Sequence, residues 1–271
     1  MITFPNAKIN LGLFIERKRP DGYHDISTVF YPIPLTDVVE VVEADETQLH
    51  TYGNAVDCPP EKNLVMKAYR LMADEFGLPP VAIHLYKHIP DGAGLGGGSS
   101  DATAVAKMLN AMFALGLSDE DIATRVKRLG ADCPFFAYNR PMTARGIGDI
   151  LAPVDVDLSG YTMVVVKPDV SVPTAAAYAG VTPRMPSTGV EQLVAQPVAD
   201  WRDRLVNDFE VSIFPQHPLL AGIKQSLYDA GAVYASMSGS GSAIYGLFER
   251  DNLADDFASK CPQPRVYKLK L

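Results

Sequence analysis

Near its N-terminus the chain alternates: Ile9, Leu11, Leu13 and Ile15 fall on one side of an extended segment, and Lys8, Asn10 and Gly12 on the other. A repeat of two marks a strand with one face in a core, so Lys8 and Asn10 are expected to point the same way. After the turn-rich link RKRPDGYH, built on Pro20, Asp21 and Gly22, the segments DISTVFYPIP and DVVEVVEAD read as further strands. The period then becomes helical. In residues 63–77, NLVMKAYRLMADEFG, the apolar Leu64, Ala68, Leu71 and Met72 repeat at helical spacing between an Asn63 cap and a terminal Gly77. The strand VAIHLYKHI follows, then a glycine run, then two helices. One runs on from Asp101 with Val105, Leu109 and Met112 on one face, and one opens with a Ser118–Asp121 capping box.

Beyond a GADCPFF turn, YTMVVVKP reads as a strand, helical segments fall around 171–180 and 218–230, and AVYASM and AIYGLFE read as strands on either side of SGSGS. TPRMPSTG, residues 182–189, is a surface loop. The pattern predicts an α+β protein of two domains, about 1–150 and 151–271, without an internal repeat.

Composition narrows the chemistry. A chain of 271 residues, 47% hydrophobic and 21% charged, can bury a sizeable core. Its net charge of −8 and the absence of a Lys/Arg-rich run leave nothing to track a phosphate backbone, so nucleic acid is not an expected partner. The longest apolar runs, such as MVVV at 163–166, are far below the ~20 residues of a membrane span. No secretory signal is readable in MITFPNAKINLGLFI, which makes the cytoplasm the expected location. Cys58, Cys133 and Cys261 are odd in number and widely spaced, as reduced packing thiols are. His84 and His88 are four apart on a strand, where that spacing makes no helical metal pair.

The run PDGAGLGGGSSDATA, residues 90–104, is the densest chemical signal. Glycines concentrated between a strand and a helix let something approach the backbone closely. The Walker pattern needs GK before Ser or Thr, and GK occurs nowhere in the chain. Gly92, Gly94 and Gly97 do satisfy G-x-G-x-x-G, but a second helix stands where a dinucleotide fold needs a strand ending in an acidic residue. What remains is a glycine-rich turn into a helix N-terminus, whose amides and dipole hold an anion, typically phosphate. Ser99 and Ser100 serve either as added donors or as simple N-caps.

PDGAGLGGGSSDA resembles the nucleotide-binding motif of the GHMP small-molecule kinases, and NAKINLGLFIERKRPDGYH, GADCPFF, KPDVSVPTAAAY and SGSGS are similar to motifs of the branch that phosphorylates a cytidine diphosphate polyol. The likeness runs from residue 4 to about 246. It implies the two-domain GHMP kinase fold, with a ribosomal S5 domain 2-like N-terminal domain carrying the glycine loop and a ferredoxin-like α+β C-terminal domain. It also implies an ATP-dependent step of isoprenoid precursor synthesis, in which phosphate moves to an acceptor hydroxyl in a cleft between the domains. ATP with Mg2+ and the polyol are the implied small-molecule partners, no partner protein is called for, and the metal ligands stay open.

By position, the resemblance places Gly92, Gly94, Gly96, Gly97, Gly98, Ser99 and Ser100 at the triphosphate. It makes Asp132 the base for the acceptor hydroxyl and Lys8 the cation that holds it. Tyr23 and Tyr178 would stack on the cytosine, His24 would read it, and Asn10 would serve the substrate beside Lys8. Asn63 and Lys87 fall at nucleotide-side positions, although a helix cap and a solvated strand-end lysine account for them equally. Gly239 and Gly241 either close over the substrate or make a tight hairpin. Asp101 stands where many relatives carry Asn, and it either repels the triphosphate unless a cation intervenes or caps the helix facing away. The competing readings are another GHMP kinase acting on homoserine, mevalonate or a sugar, a non-catalytic ATP-binding relative, and, more remotely, a dinucleotide oxidoreductase.

Overall fold

The computed structural model describes residues 1–56, 58–251 and 253–271. In chain order its first half holds β1 (Ile2–Thr3), β2 (Asn6–Lys18), β3 (His24–Thr36), β4 (Val38–Glu43), β5 (Gln48–Gly53), α1 (Leu64–Phe76), β6 (Val81–Lys87), α2 (Gly97–Met112), α3 (Asp119–Val126) and α4 (Cys133–Tyr138). The rest holds β7 (Met142–Gly146), β8 (Ile150–Pro153), β9 (Thr162–Lys167), α5 (Thr174–Ala179), α6 (Val190–Val194), α7 (Phe209–Ile213), α8 (Pro218–Asp229), β10 (Tyr234–Met237), β11 (Ile244–Phe248), α9 (Asp251–Lys260) and β12 (Arg265–Lys270). No helix among the described residues is long and apolar enough to cross a membrane.

Two compact units form, and they are not the continuous stretches 1–150 and 151–271. Unit 1 collects Met1–Ala7, Leu35–Asp91 and Gly96–Arg140; unit 2 collects Lys8–Pro34, Gly92–Leu95 and Pro141–Leu271. The reason lies in strand pairing. One sheet has the order β2-β3-β7-β8, which ties the N-terminal hairpin to chain beyond residue 140.

Unit 1 is built on the sheet β1-β4-β6-β5. Alternation in VVEVVE and VAIHLYK sends Val39 and Val41 of β4 and Val81, Ile83 and Leu85 of β6 into the core, in an antiparallel register that sets Val39 opposite Leu85 and Val41 opposite Ile83. The helices close this face with Ala68 and Met72 of α1, Val105 and Leu109 of α2, Ile122 and Val126 of α3, and Cys133 and Ala137 of α4. Each large apolar side chain so buried contributes about 1.5–3 kcal/mol. The helix expected at 63–77 is α1, with Asn63 Oδ1 accepting the Val65 amide at 3.1 Å and Gly77 left-handed at φ 65°. Its buried stripe is Val65, Met66, Ala68, Tyr69 and Met72, one position away from the expected Leu64 and Leu71. The Ser118–Asp121 capping box is present. GADCPFF is more than a turn, because Cys133 begins α4. The strand β5 escaped the sequence reading: it is largely exposed and polar, and it pairs in parallel with β6 only because α1 carries the chain back across the sheet.

Unit 2 has two sheets. The second, of order β10-β11-β9-β12, is antiparallel throughout and sets the VVV of β9 between two neighbours, as a strand apolar on both faces requires. Leu220, Ile223 and Leu227 of α8 and Ala254 and Phe257 of α9 cover one face. The segment around 171–180 is the short α5, while α9 and β12 give no clear apolar period and were not anticipated. The β10–β11 pair ends at Met237 opposite Ile244, which leaves 238–243 as the connecting loop.

Candidate active site

In unit 2 the polar face of β2 is buried, where a half-exposed strand was expected: Lys8 is 3% and Asn10 2% exposed. Hydrogen bonds from neighbouring strands satisfy it. The Thr28 hydroxyl donates to the carbonyl of Gly12, so its oxygen accepts from Asn10 Nδ2 at 3.0 Å, and Asn10 Oδ1 is thereby turned to Lys8 Nζ, 2.6 Å away. The ammonium also lies 4.8 Å from the centre of the Phe30 ring, which favours a cation over its face. Tyr245 Oη donates to Asn10 O at 2.8 Å and holds the strand from below. Lys8 Nζ is thus held in place between Asn10 Oδ1 and the Phe30 ring.

The first glycines of the run belong to the same unit. Ser238 Oγ donates to Gly94 O at 2.8 Å and the Ala243 amide to Ala93 O at 3.1 Å, so the SGSGS loop is at once a β10–β11 hairpin and a brace under the glycine run. Asn207 Nδ2 ties the loop down, donating to Met237 O at 2.7 Å and Gly239 O at 2.8 Å. Gly94 has φ +75°, and a Cβ there would lie 2.0 Å from Ser238 O. No other residue fits. Gly239 and Gly241 are also left-handed, at φ 56° and 89°.

Unit 1 carries the remainder of the run into α2. Gly96 is its left-handed N-cap, and Ser100 N–H makes the first helical bond, to Gly96 O at 2.9 Å. The amides of Gly97, Gly98 and Ser99 precede that bond and are directed out of the helix end. Thr103, fully buried, shares its hydroxyl between Ser99 O at 2.9 Å and Cys133 O at 3.0 Å, and so joins the first turn of α2 to the start of α4, where Asp132 is the half-buried N-cap residue. Burial pushes the Cys133 thiol up to about 11 against the Ser99 hydroxyl, which makes it inert.

Lys87 is the fourth inward position of β6, after Val81, Ile83 and Leu85, and is therefore buried at 5% exposure. Its ammonium is held by Asp37 and, at 2.7 Å, by Asp101. The other Asp37 oxygen accepts the His88 amide at 2.5 Å and the Ile89 amide at 2.7 Å. Burial pulls the Lys87 pKa down, but the two carboxyls outweigh it and the net direction is up. For Asp101, burial and then the Asp37 charge raise the pKa to about 8 against the pull of Lys87.

Of the expected site residues, unit 2 brings together Lys8, Asn10, Gly94 and Gly239; a Cβ on Gly239 would lie 3.4 Å from Gly94 Cα and 3.5 Å from Asn10 Oδ1. It also stacks His24 on Tyr178, with ring centres 4.9 Å apart at 19°, and sets Phe209 edge-on to Tyr178 at 4.8 Å. Tyr23 is 61% exposed at the hairpin turn, and Gly92 is exposed too. Unit 1 holds Gly96 to Ser100, Asn63, Lys87 and Asp132. Asn63 is the α1 cap, the alternative that the sequence pattern offered for it, and Lys87 is the partner of two acids, so it is not the solvated strand-end lysine that the pattern also allowed. A protein cation does intervene beside Asp101. Sequence reasoning missed Asp37, Thr103, Thr28, Phe30 and Asn207, each a single polar or aromatic residue without a motif. Among the described residues no three His, Cys, Asp or Glu gather as a cation site.

The family models for the GHMP kinases N terminal domain and the GHMP kinases C terminal domain match residues 63–140 and 191–264. A 4-diphosphocytidyl-2-C-methyl-D-erythritol kinase of Bacteroides thetaiotaomicron is 54% identical over 253 residues, 92% of each chain. The chain belongs to the GHMP kinases, among the 4-diphosphocytidyl-2-C-methyl-D-erythritol kinases. A crystal structure of a 4-(cytidine 5'-diphospho)-2C-methyl-D-erythritol kinase has a TM-score of 0.83 at 33% identity, covering 99% of this chain and 98% of that one. A homoserine kinase of Cytophaga hutchinsonii, at 16% identity and a TM-score of 0.74 over 100% and 94% of the two chains, shares the GHMP fold alone. The N-terminal GHMP match spans Asn63, Lys87, the glycine run and Asp132, and the C-terminal match spans Gly239 and Gly241.

Proposed function

We propose that this GHMP kinase transfers the γ-phosphate of ATP to a hydroxyl of 4-diphosphocytidyl-2-C-methyl-D-erythritol, giving the 2-phosphate and ADP, as a cytoplasmic step of non-mevalonate isoprenoid precursor synthesis. One observation carries the chemistry: a left-handed glycine run opens directly into the 16-residue helix α2, whose leading amides precede its first hydrogen bond. The similarity over 92% of the chain to kinases of that name supports this acceptor above others.

In this reading the acceptor oxygen attacks the γ-phosphorus, the bond to the β,γ-bridging oxygen breaks, and the electron pair leaves on ADP. Asp132 takes the acceptor proton, a role worth about 10²–10⁴ in rate. Lys8, held in place by Asn10 and Phe30, steadies the acceptor oxygen and the negative charge on the transferring group. Magnesium would arrive on the triphosphate, whose oxygens supply much of its coordination. The His24–Tyr178 pair supplies flat rings of the kind that stack on a pyrimidine, with Tyr23 exposed nearby in sequence. The test is ADP release against a panel of acceptors. Turnover is expected with the cytidine diphosphate polyol; preference for homoserine, mevalonate or a sugar would select a sister kinase, and ATP binding without ADP from any acceptor would select a non-catalytic relative.

A further inference from the structure

The helical period places Gly97, Asp101, Val105 and Leu109 four apart on one ridge of α2, and that ridge is buried. An acid in second place on it is 1% exposed, one turn behind the amides expected to meet phosphate. Its Oδ2 accepts from Lys87 Nζ at 2.7 Å, while its Oδ1 has no hydrogen-bond partner although it is buried. A Cβ on Gly97 would lie 3.2 Å from Lys87 Nζ, so the ammonium lies directly beneath the first turn. The charged groups that face Asp101 are Lys87, at the end of β6, and Asp37, in the link from β3 to β4; α2 has no acid in its own first turn. Two carboxylates against one ammonium leave a surplus negative charge buried under an anion site, and an unpaired carboxylate oxygen in that place is costly. A proton on Asp101 removes the surplus charge and turns the unpaired oxygen into part of a neutral carboxyl, which is cheaper to bury.

We propose that Asp101 is a positioning residue held protonated in the buried Asp37–Lys87–Asp101 cluster, so that the first turn of α2 meets the triphosphate over a neutral base, and that losing this proton to solvent weakens nucleotide binding. The inference rests on the reading of α2 as the ATP phosphate site. Burial and the Asp37 charge raise the Asp101 pKa to about 8, against the pull of Lys87, which puts the loss of its proton within reach of ordinary buffers.

The test is ATP affinity of the full chain, with magnesium present, from pH 7 to pH 9, for the parent protein and Asp101→Asn. If only the protonated form binds, the apparent dissociation constant of the parent rises about tenfold over that range. The amide cannot ionise, so the variant should keep a flat profile, and titration of ATP itself is common to both. Parallel curves, or a flat parent, overturn the inference. Should the variant fail to fold, carbon-13 NMR of aspartate-labelled parent protein decides instead: one carboxyl titrating near 8 supports the proposal, and full ionisation of all carboxyls below pH 6 overturns it. Absence of ATP binding in both proteins at every pH would overturn the phosphate reading as well, and this inference with it, whereas parallel curves leave that reading intact.

Discussion

Replacing Gly94 by alanine should damage the glycine run in a way that replacing Gly92 does not. Both are left-handed, at φ +75° and +57°, and alanine in that conformation costs roughly 1–2 kcal/mol at either place. The surroundings differ. Nothing lies within 4 Å of a Cβ on Gly92, whereas a Cβ on Gly94 meets Ser238 O at 2.0 Å, Ser238 C at 2.9 Å and Gly241 O at 3.3 Å. Those are backbone atoms of a braced loop and no rotamer change removes them. Relief requires the run and the SGSGS loop to part by an ångström or more, which sacrifices the bonds Ser238 Oγ to Gly94 O and Ala243 N to Ala93 O. At about 1 kcal/mol for each bond, Gly94→Ala should cost about 3–4 kcal/mol and Gly92→Ala about 1–2. For a chain of this size that is a melting point lowered by about 10 °C against about 4 °C. Thermal unfolding without nucleotide reads this difference free of any effect on ATP. Equal losses, or a milder effect at Gly94, would refute the claim that the run is seated on the 238–243 loop.

Asp132→Asn should lower turnover with ATP and the cytidine diphosphate polyol by about 10²–10⁴ while leaving the circular dichroism spectrum unchanged, and turnover within threefold of the parent would remove Asp132 from the reaction. Thr103→Val keeps the shape but removes the hydroxyl that ties the carbonyls of Ser99 and Cys133 together; a loss of about 1 kcal/mol in denaturant titration and a fall in kcat are expected, both restored by Thr103→Ser, and failure of the serine to rescue would count against the hydroxyl. Because the Asp101 pKa is raised to about 8, the folded chain binds more protons than the unfolded one from about pH 4 to pH 8. Its contribution is fully present below that window and is lost as pH rises through it, so the urea midpoint should fall from pH 5 to pH 8.5 in the parent more than in Asp101→Asn, and identical slopes would contradict the assignment.

The sequence by itself determined what is local. The strands β2, β4 and β6, the cap and glycine that bound α1, the capping box of α3 and the glycine run opening α2 all depend on neighbours within a few residues, and all stand in the structure, although both faces of β2 are buried. So does the family, because its motifs are contiguous runs. What only the tertiary structure decided is where isolated polar residues spend their bonds. The antiparallel register that sets Val38 opposite Tyr86 puts Asp37 beside Lys87, fifty positions away, and the ridge of α2 then delivers Asp101 to the same ammonium. No periodicity announces such a meeting, since it depends on which strands pair and at what register. The same holds for β5, which a crossover helix rather than its own pattern places in a sheet, and for the discontinuous units, since β2 and β3 pair onward with strands that the chain reaches only after residue 140. Period and capping are properties of a segment; hydrogen-bond and charge satisfaction are properties of a packed interior, and they exist only once that interior has formed.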